Sequence, residues 1–352
     1  MVGDDLFKKL RKHIPDTAWV ETDIEIEFLK TIFTREEAEL ALQIGSDYEN
    51  ITDISKKTGI DRSKLENVLE RMTDKGILYT IEEKGKNSYK IMNPSWLMDL
   101  HLFRKENTPA GEKIAKLLPE YYMKAYGDRQ LNKPVAITRV LPLEDALPKD
   151  ELIYPWERIS TVLESTDFLA VTNCICRRAS EIRGDGCNHS LEVCPFLGDV
   201  ARYLVKRGFA REITKEEAYK IQKKASDEGL VFITTNAQEY NTICNCCGCC
   251  CLDLWGINRL HLPNAVAKAN FIAEVNGEQC TLCSTCVDKC SVHSPSLTNE
   301  HSVINEDTCI GCGVCVVSCP SEAIKLKRRR EIQIPPRTMA ELTSVTQFLP
   351  YS

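Results

Sequence analysis

The N-terminal quarter of the chain alternates stretches of helical apolar periodicity with short polar breaks. Thr34 and Glu37 form a capping box, and Ala38, Leu40, Ala41, Leu42 and Ile44 give the helix it opens an apolar stripe. Residues 52–58 predict a short second helix stopped by Gly59. Asp61 opens a third, with Leu65, Val68, Leu69 and Met72 on one face and Gly76 at its end. The period then changes to two. Residues 77–81 and 88–92 alternate around the polar stretch 82–87, the pattern of a strand pair and its turn.

From 95 to 150 the pattern is broken by Pro109, Pro119, Pro134, Pro142 and Pro148, which predicts a linker and connecting segment. Tyr154-Pro155-Trp156 then starts a helix reaching about Ser165, with proline at its first position. Residues 168–172 form an apolar strand that runs into Cys174. A helix is expected over 196–207 with Gly208 as its cap, and another from Thr214 and Glu217 to near Gly229. Residues 230–235 make a second strand, feeding a second cysteine-rich loop at 244–251. Two such units predict that their loops converge at one edge of a small sheet. Beyond Lys327, Pro335 and Pro336 suggest an extended tail. The expected architecture is α+β: a helix-and-hairpin domain at 1–94, the linker at 95–150, a mixed α/β cysteine-rich domain at 151–270, a compact unit at 271–326 and a tail at 327–352.

Composition directs attention to the sulfur. Of 352 residues, 18 are cysteine, and all of these lie between Cys174 and Cys319. The first residues mix acidic and basic side chains where a signal peptide needs an apolar core, and no apolar run approaches the ~20 residues that span a bilayer. A cytoplasmic protein without a membrane span is therefore expected. In that reducing setting, closely spaced cysteines are thiolate metal ligands rather than disulfides. The formal net charge of -6 argues against a general nucleic-acid binder. No glycine-rich nucleotide fingerprint follows a strand, so flavin, nicotinamide or ATP chemistry has no support in this chain.

The strongest motif is Cys280-x2-Cys283-x2-Cys286-x3-Cys290, repeated as Cys309-x2-Cys312-x2-Cys315-x3-Cys319 and followed by Pro320. Three cysteines on a tight loop reach three corners of one four-iron cube, and the fourth ligand comes from elsewhere. The region resembles the two-cluster bacterial ferredoxins. That resemblance implies two 4Fe-4S clusters, one held by Cys280, Cys283, Cys286 and Cys319, the other by Cys309, Cys312, Cys315 and Cys290. Gly311 and Gly313 relieve crowding and leave backbone N–H groups free for the cluster sulfides. One departure is visible: Cys290 is followed by Ser291 instead of proline.

The middle region holds the other ten: Cys174, Cys176, Cys187 and Cys194, then Cys244, Cys246, Cys247, Cys249, Cys250 and Cys251. Together with the motif that follows, they resemble the central part of multicluster iron-sulfur proteins of strict anaerobes. All ten are candidate metal ligands for one or two additional iron-sulfur clusters. Four thiolates would also suit zinc, but the usual paired knuckles are absent. Arg177 and Arg178 can offset the charge of a thiolate-bound cluster or lie on the surface, while His189 is expected on a solvated loop. Adjacent cysteines such as Cys246 and Cys247 point in different directions, so the six at 244–251 cannot serve one cube. They are shared between clusters, ligate an expanded cluster, or remain redox-active thiols.

The N-terminal element order resembles a winged helix-turn-helix domain. Its third helix carries Arg62, Lys64, Arg71 and Lys75 against Asp61, Glu66, Glu70 and Asp74, so phosphate attraction cancels and protein docking is expected over DNA binding. The leading function is an electron relay to or from a partner oxidoreductase. The alternatives are a reductase whose middle-domain cluster binds substrate, as the non-cubane clusters of heterodisulfide reductases do, and a redox-sensing winged-helix regulator. No catalytic residue is assigned, and a homo-oligomer is compatible with all three.

Overall fold

The computed structural model describes residues 2–14, 23–45, 47–83, 85–92, 94–126, 135–262 and 264–347. Helices α1 (Val2–His13) and α2 (Asp23–Ile32) precede α3 (Arg35–Ala41), β1 (Glu49–Asn50), α4 (Ile51–Thr58), α5 (Arg62–Asp74) and the hairpin β2 (Leu78–Glu83) and β3 (Lys86–Ile91). The three strands pair in the order β1-β3-β2. Local chemistry sets the boundaries: Thr34 and Glu37 cap α3 reciprocally, Asn50 caps α4, and Gly59 ends α4 at φ +68. The hairpin strands are longer than their apolar alternation, because ladder pairing continues through Glu82↔Asn87 and Glu83↔Lys86.

The expected linker is instead largely helical. It contains α6 (Pro94–Phe103) and α7 (Pro109–Tyr121), a π-turn at Tyr122–Tyr126, and β4 (Thr138–Leu141). Pro109 occupies the first helical turn, where its missing N–H costs nothing, and Thr108 caps it. Ile114, Ala115, Leu118 and Tyr121 then bury one face, and this burial outweighs Pro119 near the helix end. Pro134 lies outside the described residues.

Two three-stranded sheets form the middle region, not one: β6 (Glu192–Leu197), β5 (Leu169–Asn173) and β7 (Arg211–Ile213) in the first, and β4, β8 (Val231–Thr235) and β9 (Cys244–Cys246) in the second. The expected helix at 154–165 is split into a 3-10 turn at Pro155–Glu157 and α8 (Ile159–Ser165). The helix expected from 196 starts later, as α10 (Gly198–Lys206), because Cys194, Pro195 and Phe196 belong to β6. Proline is tolerated there through its carbonyl, which accepts the Ile243 N–H at 2.9 Å. That bond and a Phe196↔Thr242 bridge join the two sheets. The cysteine loops therefore meet across a seam rather than along one sheet edge. Helix α9 (Ile175–Arg183) leaves the first loop, α11 (Lys215–Asp227) leads to β8, and α12 (Leu252–Asn258) leaves the second loop.

At the C-terminal end, β10 (Phe271–Val275) pairs antiparallel with β13 (Ile324–Arg328). Between them lie α13 (Thr285–Lys289), the hairpin β11 (Pro295–Leu297) and β12 (Ser302–Ile304), and α14 (Val314–Val317). The tail is extended at first. Pro336 and Arg337 accept the Gln238 and Glu239 N–H groups at 2.9 Å, and the chain then forms α15 (Met339–Gln347), which the sequence pattern did not suggest.

Two apolar cores cross the expected domain boundaries. One runs from the N-terminal helices through Tyr203, Phe209 and Trp255; the other runs from Val140 and Leu163 into Phe271 and Val314. Arg207 also binds Glu70 at 2.7 Å and Asp74 at 3.0 Å on α5. Among the described residues no helix is long and apolar enough to cross a membrane.

Candidate metal centres

The C-terminal unit repeats one backbone twice. Leu282 and Ser284 take φ of +57° and +59°, and Gly311 and Gly313, at the same offsets in the second loop, take +72° and +81°. His293 and Glu322 repeat the pattern three residues after Cys290 and Cys319, at +54° and +51°. Non-glycine residues adopt this region only when the surroundings impose it. The reversal lets the chain fold back on each middle cysteine: the Thr285 N–H reaches Cys283 and the Val314 N–H reaches Cys312. Gly311 answers a second need, since a Cβ there would lie 2.1 Å from the Phe271 carbonyl oxygen.

These loops surround two cavities. Cys280, Cys283, Cys286 and Cys319 line one, and Cys290, Cys309, Cys312 and Cys315 line the other. Each cavity takes one cysteine from the opposite half. The sulfurs have polar neighbours: Ser302 N donates to Cys280 Sγ and Ser294 N to Cys290 Sγ, both at 3.4 Å, and Ser302 Oγ lies 3.2 Å from Cys286 Sγ. Burial pushes the Cys312 thiol up to about 12 and Cys315 well above its ordinary value. Such thiols give up their protons to a metal rather than to water. Four cysteines around a cavity, with N–H donors on the sulfurs, fit a 4Fe-4S cluster at each position.

The ten middle cysteines divide into two sets. Six are neighbours in a closed ring: Cys174 lies beside Cys176 and Cys194, Cys194 beside Cys244, Cys244 beside Cys246, Cys246 beside Cys251, and Cys251 beside Cys176. Strand geometry explains the membership. Cys244 and Cys246 alternate onto one face of β9, while Asn245 turns away to donate to the Val193 carbonyl. The other four, Cys187, Cys247, Cys249 and Cys250, have all their sulfurs within 4.8 Å of one another.

Arg177 lies between the sets. It is 2% exposed, its Nη1 donates to the Asn245 carbonyl at 2.9 Å, and its Nε and Nη2 reach no oxygen acceptor. Its electrostatic neighbours are Cys174, Cys194 and Cys247. A buried guanidinium without a carboxylate requires other negative charge, and thiolate-bound metal supplies it. Arg178 instead pairs with Glu181 and the Lys105 carbonyl. His189 is not simply solvated, because its Nδ1 lies 3.3 Å from Cys187 Sγ.

Two carboxyl groups near the ring escaped the sequence reading. Burial and the neighbouring Cys244 push Asp99 up to about 8. Burial, with Cys251 and Cys244, holds Asp253 well above the carboxylate range, and the Tyr122 hydroxyl donates to it at 3.3 Å. The available signals were a lone acid inside the apolar segment 96–103 and an acid two residues after Cys251.

One family model, described as a 4Fe-4S binding domain, matches residues 302–325, the segment containing Cys309, Cys312, Cys315 and Cys319. No curated protein and no solved structure matches the chain. The C-terminal end therefore carries a 4Fe-4S binding domain, preceded in the chain by a second concentration of clustered cysteines.

Proposed function

We propose that this protein relays single electrons, through two ferredoxin-type 4Fe-4S clusters and at least one further iron-sulfur centre in the middle region, to or from a partner oxidoreductase. The observation that carries the reading is the pair of cavities, each lined by four cysteines drawn crosswise from both halves of the C-terminal unit. Cys280, Cys283, Cys286 and Cys319 ligate one cluster; Cys290, Cys309, Cys312 and Cys315 ligate the other. The six-thiol ring supplies the ligands of the further centre. Contact between the units favours a continuous path: a Cβ on Gly248 would lie 2.8 Å from the Ser291 carbonyl oxygen, next to Cys290.

The N-terminal element order and the β1-β3-β2 sheet support a winged-helix reading. Its α5 serves docking rather than DNA, because its charges balance and Arg207 already engages Glu70 and Asp74.

Anaerobic iron, sulfide and paramagnetic-resonance analysis of the full chain tests the relay. On the order of twelve or more irons, with matching sulfide and reversible one-electron signals, is expected. About eight irons or fewer would reject it, since two cubes alone account for that many and leave none for a middle centre. A second reading, substrate reduction at the middle centre, is favoured by one feature: the ring offers more thiols than one cube uses, with Asp99 and Asp253 near it. A small anionic ligand that changes the middle-centre signal alone would select that reading.

A further inference from the structure

We infer that the middle region holds two chemically different centres: the six-thiol ring keeps the further iron-sulfur centre, while Cys187, Cys247, Cys249 and Cys250 bind one tetrahedral ion, zinc or ferrous iron, that braces the cysteine loop against the ferredoxin unit. This deepens the relay reading and rests on it only for the ring.

Size is the first argument. A metal-sulfur bond of about 2.3 Å in a tetrahedral site sets the sulfurs about 3.8 Å apart. Here Cys249 and Cys250 are 3.7 Å apart, Cys187 and Cys247 are 4.0 Å apart, and no pair in the set exceeds 4.8 Å. A cube places an iron-sulfide core between its four thiolates and holds them farther from one another. Among the described residues, no three cysteines of the ferredoxin loops gather this closely. The same molecule thus contains thiol foursomes of two sizes.

The donor set is the second argument, since four thiolates with no open position make a closed structural site. Three of them come from one turn, closed by the Cys251 N–H donating to the Cys247 carbonyl at 3.1 Å. The fourth comes from the loop 184–191, which Glu228 anchors through the Ser190 N–H at 2.8 Å. His189 Nδ1 against Cys187 Sγ orients that ligand. Four thiolates around a divalent ion carry net negative charge, and the buried Arg177 guanidinium beside Cys247, with no carboxylate partner, meets it. The ion's position gives it a task. Gly248, between two of the ligands, lies against the backbone of Ser291, whose carbonyl also accepts Asn258 Nδ2 at 2.8 Å. The ten cysteines then resolve into a ring of six and a quartet of four.

The test uses the full chain, purified without oxygen, with zinc, iron and acid-labile sulfide measured per chain in the natural protein and in the double variant Cys247→Ser, Cys250→Ser. The expected result is loss of one metal ion with sulfide unchanged, and the element lost identifies the ion. Loss of about four irons together with about four sulfides would place a cube in the quartet and overturn the inference, and so would no loss of metal. If the variant does not accumulate, X-ray absorption and Mössbauer spectra of the natural protein decide. One zinc in a four-sulfur shell, or one sulfide-free high-spin ferrous ion, is expected, and the absence of both overturns the assignment. The ferredoxin resonance signals are read in the same samples. Their absence from the natural protein would defeat the relay separately, whatever the quartet holds.

Discussion

Gly311→Ala tests how tightly the ferredoxin loop is built. At φ +72° an alanine pays about 1–2 kcal/mol for the left-handed conformation. Its methyl would also sit 2.1 Å from the Phe271 carbonyl oxygen and 2.9 Å from the carbon. A C···O contact relaxes at about 3.3 Å, so β10 or the loop must move by roughly 1 Å. Overpacking of this kind adds about 1–3 kcal/mol. The neighbour is backbone, held in register by the ladder to β13, and cannot rotate away. Gly184→Ala provides the control: its φ is +86° and nothing lies within 4 Å of the new methyl, so only the backbone cost remains. Both variants would be compared anaerobically by iron content and by loss of cluster absorbance on heating. Gly311→Ala is expected to lose the iron associated with Cys312 and to bleach at a lower temperature, while Gly184→Ala keeps its iron. If the two variants retain the same iron and bleach together, the claim that Gly311 is required by that contact is wrong.

Cys290→Ala should weaken the resonance signal of the cluster assigned to Cys309, Cys312 and Cys315, and Cys283→Ala the other signal. Loss of one and the same signal in both variants would reject the crossed assignment. Burial pushes His101 down from 6.5 to about 4, with Nε2 buried and unpartnered. The unfolded chain therefore binds this proton first. The stability contributed by the neutral ring is present above about 6.5 and is lost as pH falls toward 4, by about 3 kcal/mol in all. His101→Gln should flatten the thermal midpoint against pH across that window; an unchanged slope would refute the reasoning.

The cysteine grouping of the C-terminal unit was legible because cysteine spacing is a covalent fact of the chain, and the glycines at 311 and 313 mark left-handed positions. Leu282 and Ser284 take the same conformation without a glycine to announce it. Helices α3 to α5 were legible because Thr34, Gly59, Asp61 and Gly76 punctuate them locally. Helix α7 was not: Pro109 has the look of a break but sits in the first helical turn, where proline is tolerated, and the burial of Ile114, Leu118 and Tyr121 is tertiary. Pro195 misled in the opposite direction, because a strand accepts proline when its carbonyl alone is needed. The sequence supported all ten middle cysteines as ligands, yet could not divide them. That partition depends on which face of β9 each side chain takes and on a seam between two sheets.

The contact of Gly248 with Ser291 carries a consequence for measurement. Cluster potentials with identical ligands vary with solvent exposure and hydrogen bonding. The residue after Cys290 is covered by the middle region, and Asn258 bonds its carbonyl. Excising residues 271–330 would return that carbonyl to water, so the cluster nearest the cut face would be tuned by solvent rather than by the protein. A midpoint measured on such a fragment would describe the fragment. Any driving force between the middle region and the C-terminal 4Fe-4S binding domain is a property of the joined chain.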